Sequence, residues 1–151
     1  MSQPVKYLFL FVFLFGFATA CTKTEPATSQ GVWKTSLKGA LKLAEGKSKP
    51  VLIDFGADWC KPCKRMHQEV FVDPRIQEHL RESFVPVLID ATEITPEVSR
   101  LLQSYQVATL PALVFLSSTG DFLEGQTLVG FSDVDRLEER IKRVLKELRE
   151  R

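Results

Sequence analysis

Apolar positions follow two different spacings along the part of the chain that comes after residue 32. Short runs rich in Val, Ile, Leu and Phe predict buried strands, and apolar residues three and four apart predict helices. The predicted elements are helices over 36–45, 60–72, 74–81, 96–105 and 133–148 and strands over 51–55, 84–89, 112–116 and 126–130. Strands that alternate with helices predict an α/β fold, with a mixed central sheet flanked by helices on both faces.

Residues typical of helix ends mark where several of the predicted helices start or stop. Gly46 is expected to end the first helix, because glycine accepts the backbone conformation of a helix terminus. Thr95 is expected to cap a helix whose first turn holds Pro96. Ser132 is expected to cap the last helix. The apolar stripe of that last helix predicts one face packed on the sheet, and it comprises Val134, Leu137, Ile141, Val144, Leu145 and Leu148.

The first apolar run lies outside this pattern and predicts a targeting segment. Residues 1–20 combine a charged start, an apolar stretch over 7–17 and small residues over 18–20, as secretory signal peptides do. The apolar stretch is shorter than the roughly 20 residues that span a bilayer as a helix. We therefore predict a signal peptide, with an uncleaved N-terminal anchor as the alternative.

Cys21 follows the predicted cleavage zone. The run Ala18-Thr19-Ala20-Cys21 resembles the lipobox of bacterial lipoproteins, which implies acylation of Cys21 and attachment to a membrane. The alternative is an unpaired bystander cysteine. Residues 21–31, rich in Thr, Ser and Pro, predict a flexible tether, and residues 32–151 predict a single domain.

The charge balance limits the classes of partner. The formal net charge is +1, and it falls to zero if Lys6 leaves with the signal peptide. No basic field is then present to attract nucleic acid. Export would also place the cysteines in an oxidising compartment. We expect a monomer that needs no cofactor and no metal.

The pair Cys60 and Cys63 carries the predicted chemistry. Two residues, Lys61 and Pro62, separate the cysteines, and the pair follows a buried strand and opens a helix. Helix geometry places Cα atoms at this spacing about 5 Å apart, within the range that a disulfide needs. The helix N-terminus and Lys61 both stabilise a thiolate at Cys60, so Cys60 is the expected nucleophile. Cys63, one turn deeper and less exposed, is expected to resolve the mixed disulfide.

Asp54 and Trp59 are candidate site residues near the pair. Asp54 lies in the apolar strand that precedes Cys60, so we predict burial and a raised pKa. It is a candidate to take or return the proton of Cys63, and a strand-end Asp that bonds only backbone is the alternative. Trp59 borders Cys60 and is expected at the substrate surface, with plain packing as the alternative.

His67 opens a metal hypothesis. It follows Cys63 by four positions, so that Cys60, Cys63 and His67 can share one helix face. Thiolates and imidazole suit Cu(I) or Zn. The alternative is that His67 is a packing or surface residue behind the site.

Residues 51–64 resemble the signature of the thioredoxin superfamily, from its strand through its active-site helix. The runs 57–60, 70–74, 110–115 and 129–131 resemble more closely the C-terminal periplasmic domain of the DsbD thiol:disulfide interchange proteins. The resemblance implies a thioredoxin fold and a Cys60–Cys63 disulfide. It also implies a role in reducing the disulfides of periplasmic proteins, with electrons supplied by a membrane thiol transporter.

The resemblance further implies a substrate groove beside the dithiol. Thr109, Leu110 and a cis Pro111 would form one side of it, and Trp59 with 61–62 the other. Two features depart from the family pattern. Pro86 stands where thioredoxin carries a lysine near the buried aspartate, and Lys61-Pro62 replaces the usual dipeptide. A disulfide oxidase or isomerase on the same fold, or a non-catalytic protein with a structural disulfide, are therefore the alternatives to a reductase.

Overall fold

The computed structural model describes residues 32–151 of the chain. The predicted signal peptide, the predicted lipidation site at Cys21 and the tether over 21–31 lie outside these residues. Among the helices formed by residues 32–151, none combines the length and the apolar character needed to cross a bilayer.

A four-stranded mixed sheet and five α-helices make up the described domain, as the spacing of apolar residues predicts. The elements are α1 Leu37–Lys47, β1 Val51–Gly56, α2 Lys61–Arg65, α3 Pro74–Glu82, β2 Val85–Asp90, α4 Pro96–Ser104, β3 Ala112–Leu116, β4 Leu128–Val129 and α5 Val134–Glu150. The strand order is β2-β1-β3-β4. Strand β1 pairs parallel with β2 and antiparallel with β3, which pairs antiparallel with β4.

Helices cover both faces of this sheet, and β1 lies between two cores. All six residues of β1 are buried. Because side chains alternate along a strand, Leu52 packs with the core under α3 and α5, and Ile53 and Phe55 pack with the core under α1 and α4. Burial on both faces explains why β1 appears in the sequence as a continuous apolar run. Asp54 is the acidic residue within that run.

The predicted helix over 60–72 is two elements. The α-helix α2 ends at Arg65 and continues as a π-helical turn, Met66–Val70, in which the Phe71 N–H donates to the Met66 carbonyl at 2.9 Å. Met66, Val70 and Phe71 are all buried in the same core. The π-helical turn holds one more residue than an α-helical turn, so Met66 and Phe71 lie on one face of the helix. In an α-helix these two positions would lie on different faces.

Two predicted helix ends are wrong. Helix α1 continues through Gly46 to Lys47, and Ser48 adopts the left-handed conformation that ends it, with φ 52°. Asp133, and not Ser132, caps α5, since its carboxylate accepts from the Arg136 N–H at 2.9 Å. Aspartate and serine are equally good caps, and here Ser132 is buried instead.

The predicted strand over 126–130 is shorter than expected. Only Leu128–Val129 pairs with β3. Gly130 has φ 77°, a left-handed conformation that is incompatible with an extended strand, so the pairing ends there.

Candidate active site

Cys60 and Cys63 form a disulfide at the N-terminus of α2. The Cα atoms are 5.3 Å apart and the S–S distance is 2.02 Å. Cys60 is the N-cap residue, and its Sγ accepts a hydrogen bond from the Cys63 N–H at 3.2 Å. A free N–H at a helix start favours negative charge on that sulfur when the disulfide is open. The local geometry therefore suits a thiolate at Cys60.

The two sulfur-bearing residues are almost equally buried in the disulfide form. Cys60 is 4% exposed and Cys63 is 3% exposed, so the expected difference in exposure is not seen. Leu110 packs against the small cluster that the two cysteines form with Ala57. The loop that contains Leu110 therefore borders the dithiol on one side.

A cis peptide bond joins Leu110 to Pro111 in that loop. The Pro111 carbonyl accepts from the Gly130 N–H at 2.8 Å, which ties the loop to the end of β4. Thr109 is exposed beside it. The structure thus brings an exposed residue, Thr109, into a loop that is tied to β4 and whose Leu110 packs on the cysteine cluster.

An apolar groove of about 170 Å³ adjoins this loop. Its lining residues are Trp59, Ala91, Ile94, Leu102, Val107, Ala108, Thr109 and Leu110. Trp59 is 65% exposed, which is unusual for so large an apolar side chain. Of the predicted substrate residues, Trp59, Thr109 and Leu110 line the groove. Lys61 and Pro62 are exposed in the first turn of α2 and do not line it.

Thr92 fixes the loop that carries Trp59, a role that sequence reasoning missed. The Trp59 indole Nε1–H donates to the Thr92 carbonyl at 3.2 Å, and the Asp58 N–H donates to Thr92 Oγ1 at 2.8 Å. The Thr92 N–H in turn donates to Asp90 at 2.8 Å, and hydrogen bonds from the Thr92 side chain and backbone lower the pKa of Asp90. The available signal was an Asp-x-Thr run directly after a strand, which is typical of a side-chain-bonded turn.

Asp54 lies behind the dithiol. It is 1% exposed. Asp54 and Gly56 point to the same face of β1, and a Cβ placed on Gly56 would lie 3.7 Å from the Cys63 Cβ. Cys63 thus packs on Gly56 at the end of β1, and Asp54 lies two residues earlier on the same face of the strand.

His67 is the hydrogen-bond partner of Asp54. Its Nε2 lies 2.7 Å from Asp54 Oδ2. Burial raises the pKa of Asp54, and the hydrogen bond and charge of His67 oppose that rise. The His67 ring packs against two aromatic rings, with centroid distances of 5.9 Å to Trp33 and 4.9 Å to Phe71. In β2, Leu88 pairs with Asp54 and Pro86 pairs with Leu52, and neither side chain can form a hydrogen bond. The partner of the Asp54 carboxyl therefore comes from the helix side and not from β2.

The metal hypothesis finds no geometric support in the described part of the chain. Within residues 32–151, no group of three or more His, Cys, Asp and Glu side chains is placed to hold a metal ion. Among these residues, His67 is hydrogen bonded to Asp54 and forms no such group with Cys60 and Cys63.

Comparison with known proteins agrees with this geometry. Residues 37–145 match the family model described as a thioredoxin-like domain. Thiol:disulfide interchange protein DsbD 1 of Pseudomonas aeruginosa is 33% identical over 123 residues, which cover 78% of this chain and 21% of the relative. The chain therefore spans about a fifth of the length of this curated relative.

Solved structures show the same similarity. The reduced C-terminal domain of Neisseria meningitidis DsbD is 30% identical, with a TM-score of 0.59 over 71% of this chain and 92% of that domain. A putative disulphide-isomerase from Bacteroides thetaiotaomicron is also 30% identical, with a TM-score of 0.64 over 76% of this chain and 92% of that one. With its Cys60–Cys63 pair at the start of α2, the chain belongs to the thioredoxin-like family of thiol–disulfide oxidoreductases.

Proposed function

We propose that the protein is an exported, lipid-tethered thiol–disulfide oxidoreductase that reduces disulfides in periplasmic proteins. The observation that carries this proposal is the Cys60–Cys63 disulfide packed beside Leu110, which lines an apolar groove and precedes the cis Leu110–Pro111 bond. The similarity to the C-terminal domain of DsbD, a thiol:disulfide interchange protein, supports a role in thiol–disulfide exchange.

The first step uses Cys60. Its thiolate attacks one sulfur of a substrate disulfide, so that a Cys60–substrate S–S bond forms as the substrate S–S bond breaks. The second substrate sulfur leaves with the electron pair and takes a proton from water. The Cys63 N–H that points at Cys60 Sγ stabilises the attacking thiolate before this step.

The second step uses Cys63 and Asp54. The Asp54 carboxylate takes the Cys63 S–H proton, and Cys63 Sγ attacks Cys60 Sγ. The Cys60–Cys63 bond forms, the Cys60–substrate bond breaks, and the substrate leaves as a second thiol after protonation. Two electrons have then passed from the dithiol to the substrate.

The groove is the proposed site for the substrate chain. Trp59 and Leu110 offer apolar contact, and the exposed Thr109 is the proposed point at which the backbone of an extended substrate segment pairs. The exposed Lys61 and Pro62 would meet the substrate on the other side of Cys60. A membrane thiol transporter would return electrons to the dithiol, and acylated Cys21 would hold a monomer at the membrane.

Insulin reduction with the full chain tests the activity. Cys60→Ser should abolish turnover, because it removes the attacking sulfur. Cys63→Ser should form a mixed disulfide that stays joined to its substrate. Cys21→Ser is the matched control and should reduce insulin at the parent rate. Insulin reduction by Cys60→Ser at that rate would exclude this function.

The redox potential against glutathione tests the direction. A reductase should equilibrate near the value of thioredoxin, about −270 mV, and a strong oxidase near about −120 mV. The similarity to the disulphide-isomerase of Bacteroides thetaiotaomicron makes a potential between these two values the specific alternative. Incorporation of labelled fatty acid into the parent chain, but not into Cys21→Ser, tests the lipid anchor.

A further inference from the structure

The buried Asp54 lacks a direct route for exchanging protons with water. It is 1% exposed, and His67 is the hydrogen-bond partner of its side chain among the described residues. A base that accepts the Cys63 proton in each catalytic cycle must also lose that proton in each cycle. The structure therefore needs a group that links the Asp54 carboxyl to solvent.

His67 lies between that carboxyl and solvent. Its side chain is 32% exposed and lines a cavity of about 280 Å³ that Cys63 also lines. Asp58, Lys64 and Asp90 are the charged groups that face the same cavity, from the loop before α2, from α2 itself and from the end of β2. The cavity thus brings the resolving sulfur, the imidazole and water-accessible charged groups to one place.

The hydrogen bond between Asp54 and His67 is compatible with a proton on either side. When the carboxylate is ionised, Nε2–H donates to Oδ2, and when the carboxyl is protonated, its O–H donates to Nε2. The ring packs against Trp33 and Phe71, which restricts its movement away from the 2.7 Å contact with Asp54. Imidazole also exchanges protons readily near neutral pH.

We propose that His67 is a positioning residue that carries the proton of Asp54 to and from solvent during the resolving step. The Cys63 thiol proton passes to the Asp54 carboxylate and then to the free lone pair of His67 Nε2, in the tautomer whose hydrogen is on Nδ1, while the Nδ1 proton passes to water. Proton exchange between the ring and water then restores that tautomer before the next cycle. No electrons move in this transfer. The role of His67 rests on the proposed function, because that function makes Asp54 the base for Cys63.

A purely structural role would be satisfied by a hydrogen bond alone. Glutamine at position 67 can still donate to Asp54 but cannot accept one proton while releasing another. His67→Gln therefore separates the two roles. His67→Ala leaves space beside Asp54 that added imidazole can fill.

Reaction with the symmetric aromatic disulfide DTNB separates the two catalytic steps. Each step releases one coloured thiolate, the first when Cys60 attacks and the second when Cys63 resolves the mixed disulfide. The full chain carries Cys21→Ser throughout, so that only the two site thiols react. Stopped-flow absorbance between about pH 6 and pH 9 covers the range in which imidazole and thiol groups titrate.

His67→Gln should leave the first phase unchanged and slow the second phase about tenfold at neutral pH, with a flatter pH profile. His67→Ala should slow the second phase similarly, and added imidazole should restore it. His79→Gln, which changes the other histidine of the chain, is the matched control and should alter neither phase.

The outcomes distinguish failure of the proposed function from failure of the proposed role of His67. Absence of the first phase in the parent chain would refute the proposed function itself. A normal first phase, together with a second phase in His67→Gln that matches the parent at every pH, would overturn the role of His67 alone. Equal rescue by imidazole in His67→Ala and in the double variant with Asp54→Asn would overturn it too, because imidazole would then act without Asp54.

Discussion

Replacing Asp54 with asparagine should stabilise the protein at neutral pH and leave it unchanged in acid. The substitution keeps the shape of the side chain, and the amide oxygen can still accept from His67 Nε2–H. What it removes is an ionisable group that is 1% exposed and whose pKa burial raises above the ordinary value of 3.8. The stabilisation follows from the difference in proton binding between the folded and unfolded states.

The sign of the effect comes from the raised pKa. The folded chain holds the Asp54 proton to a higher pH than the unfolded chain does. The resulting stabilisation is complete below the unfolded value of 3.8 and is lost as pH rises through the folded pKa. The loss amounts to about 1.4 kcal/mol for each pH unit that separates the two values. Asparagine does not titrate, so the variant avoids that loss.

Thermal unfolding of the oxidised full chain, followed by circular dichroism, measures the difference. The melting temperatures of parent and Asp54→Asn should coincide near pH 3.5 and then diverge. The gain should be roughly 4 °C for each kcal/mol in a domain of this size and should level off above the folded pKa. Asp121→Asn is a control of opposite sign, because hydrogen bonds from Thr119 and Ser117 lower the pKa of Asp121. A constant difference between parent and Asp54→Asn at all pH values would refute this reasoning.

Two further predictions concern the last helix and the groove. Asp133→Ala should lower the free energy of unfolding by about 1 kcal/mol, because it removes the cap of α5. Ser132→Ala should be neutral or stabilising, since the buried hydroxyl has no hydrogen-bond partner among the described residues. Urea denaturation measures both free energies of unfolding, and a larger loss in Ser132→Ala than in Asp133→Ala would contradict the assignment of Asp133 as the cap. Trp59→Ala should lower kcat/KM for insulin about tenfold or more and spare a small aromatic disulfide, as expected for an exposed anchor in a substrate groove. Equal losses for both substrates would place the defect at the sulfurs.

The strands and the dithiol could be predicted from the sequence because local patterns determine them. Six consecutive buried positions in β1 give a continuous apolar run, and a carboxylate within such a run is buried wherever the strand packs. The spacing of Cys60 and Cys63 fixes their Cα separation through helix geometry alone, and the observed 5.3 Å agrees with it.

The pairing of Asp54 with His67 could not be predicted in this way. The two residues lie on different elements, and their contact depends on how the helix packs over β1. The sequence pattern also does not determine which residue caps the last helix, because Ser132 and Asp133 are both good caps. Packing decides between them: Ser132 is buried, and Asp133 caps the helix. At β4, the left-handed backbone of Gly130 ends the pairing before the apolar pattern does.

Because of the π-helical turn at Met66–Val70, the site depends on the number of residues in this segment as much as on which residues they are. An α-helix turns by about 100° for each residue. Loss of one residue from the turn would restore α-helical hydrogen bonding, but it would rotate the preceding and following side chains by that angle relative to each other. Phe71 could then stay in the core only if His67 turned away from Asp54. The number of residues between Cys63 and Phe71 is thus part of the site, and a homologue that lacks one of them would have to hold its buried carboxyl by other means.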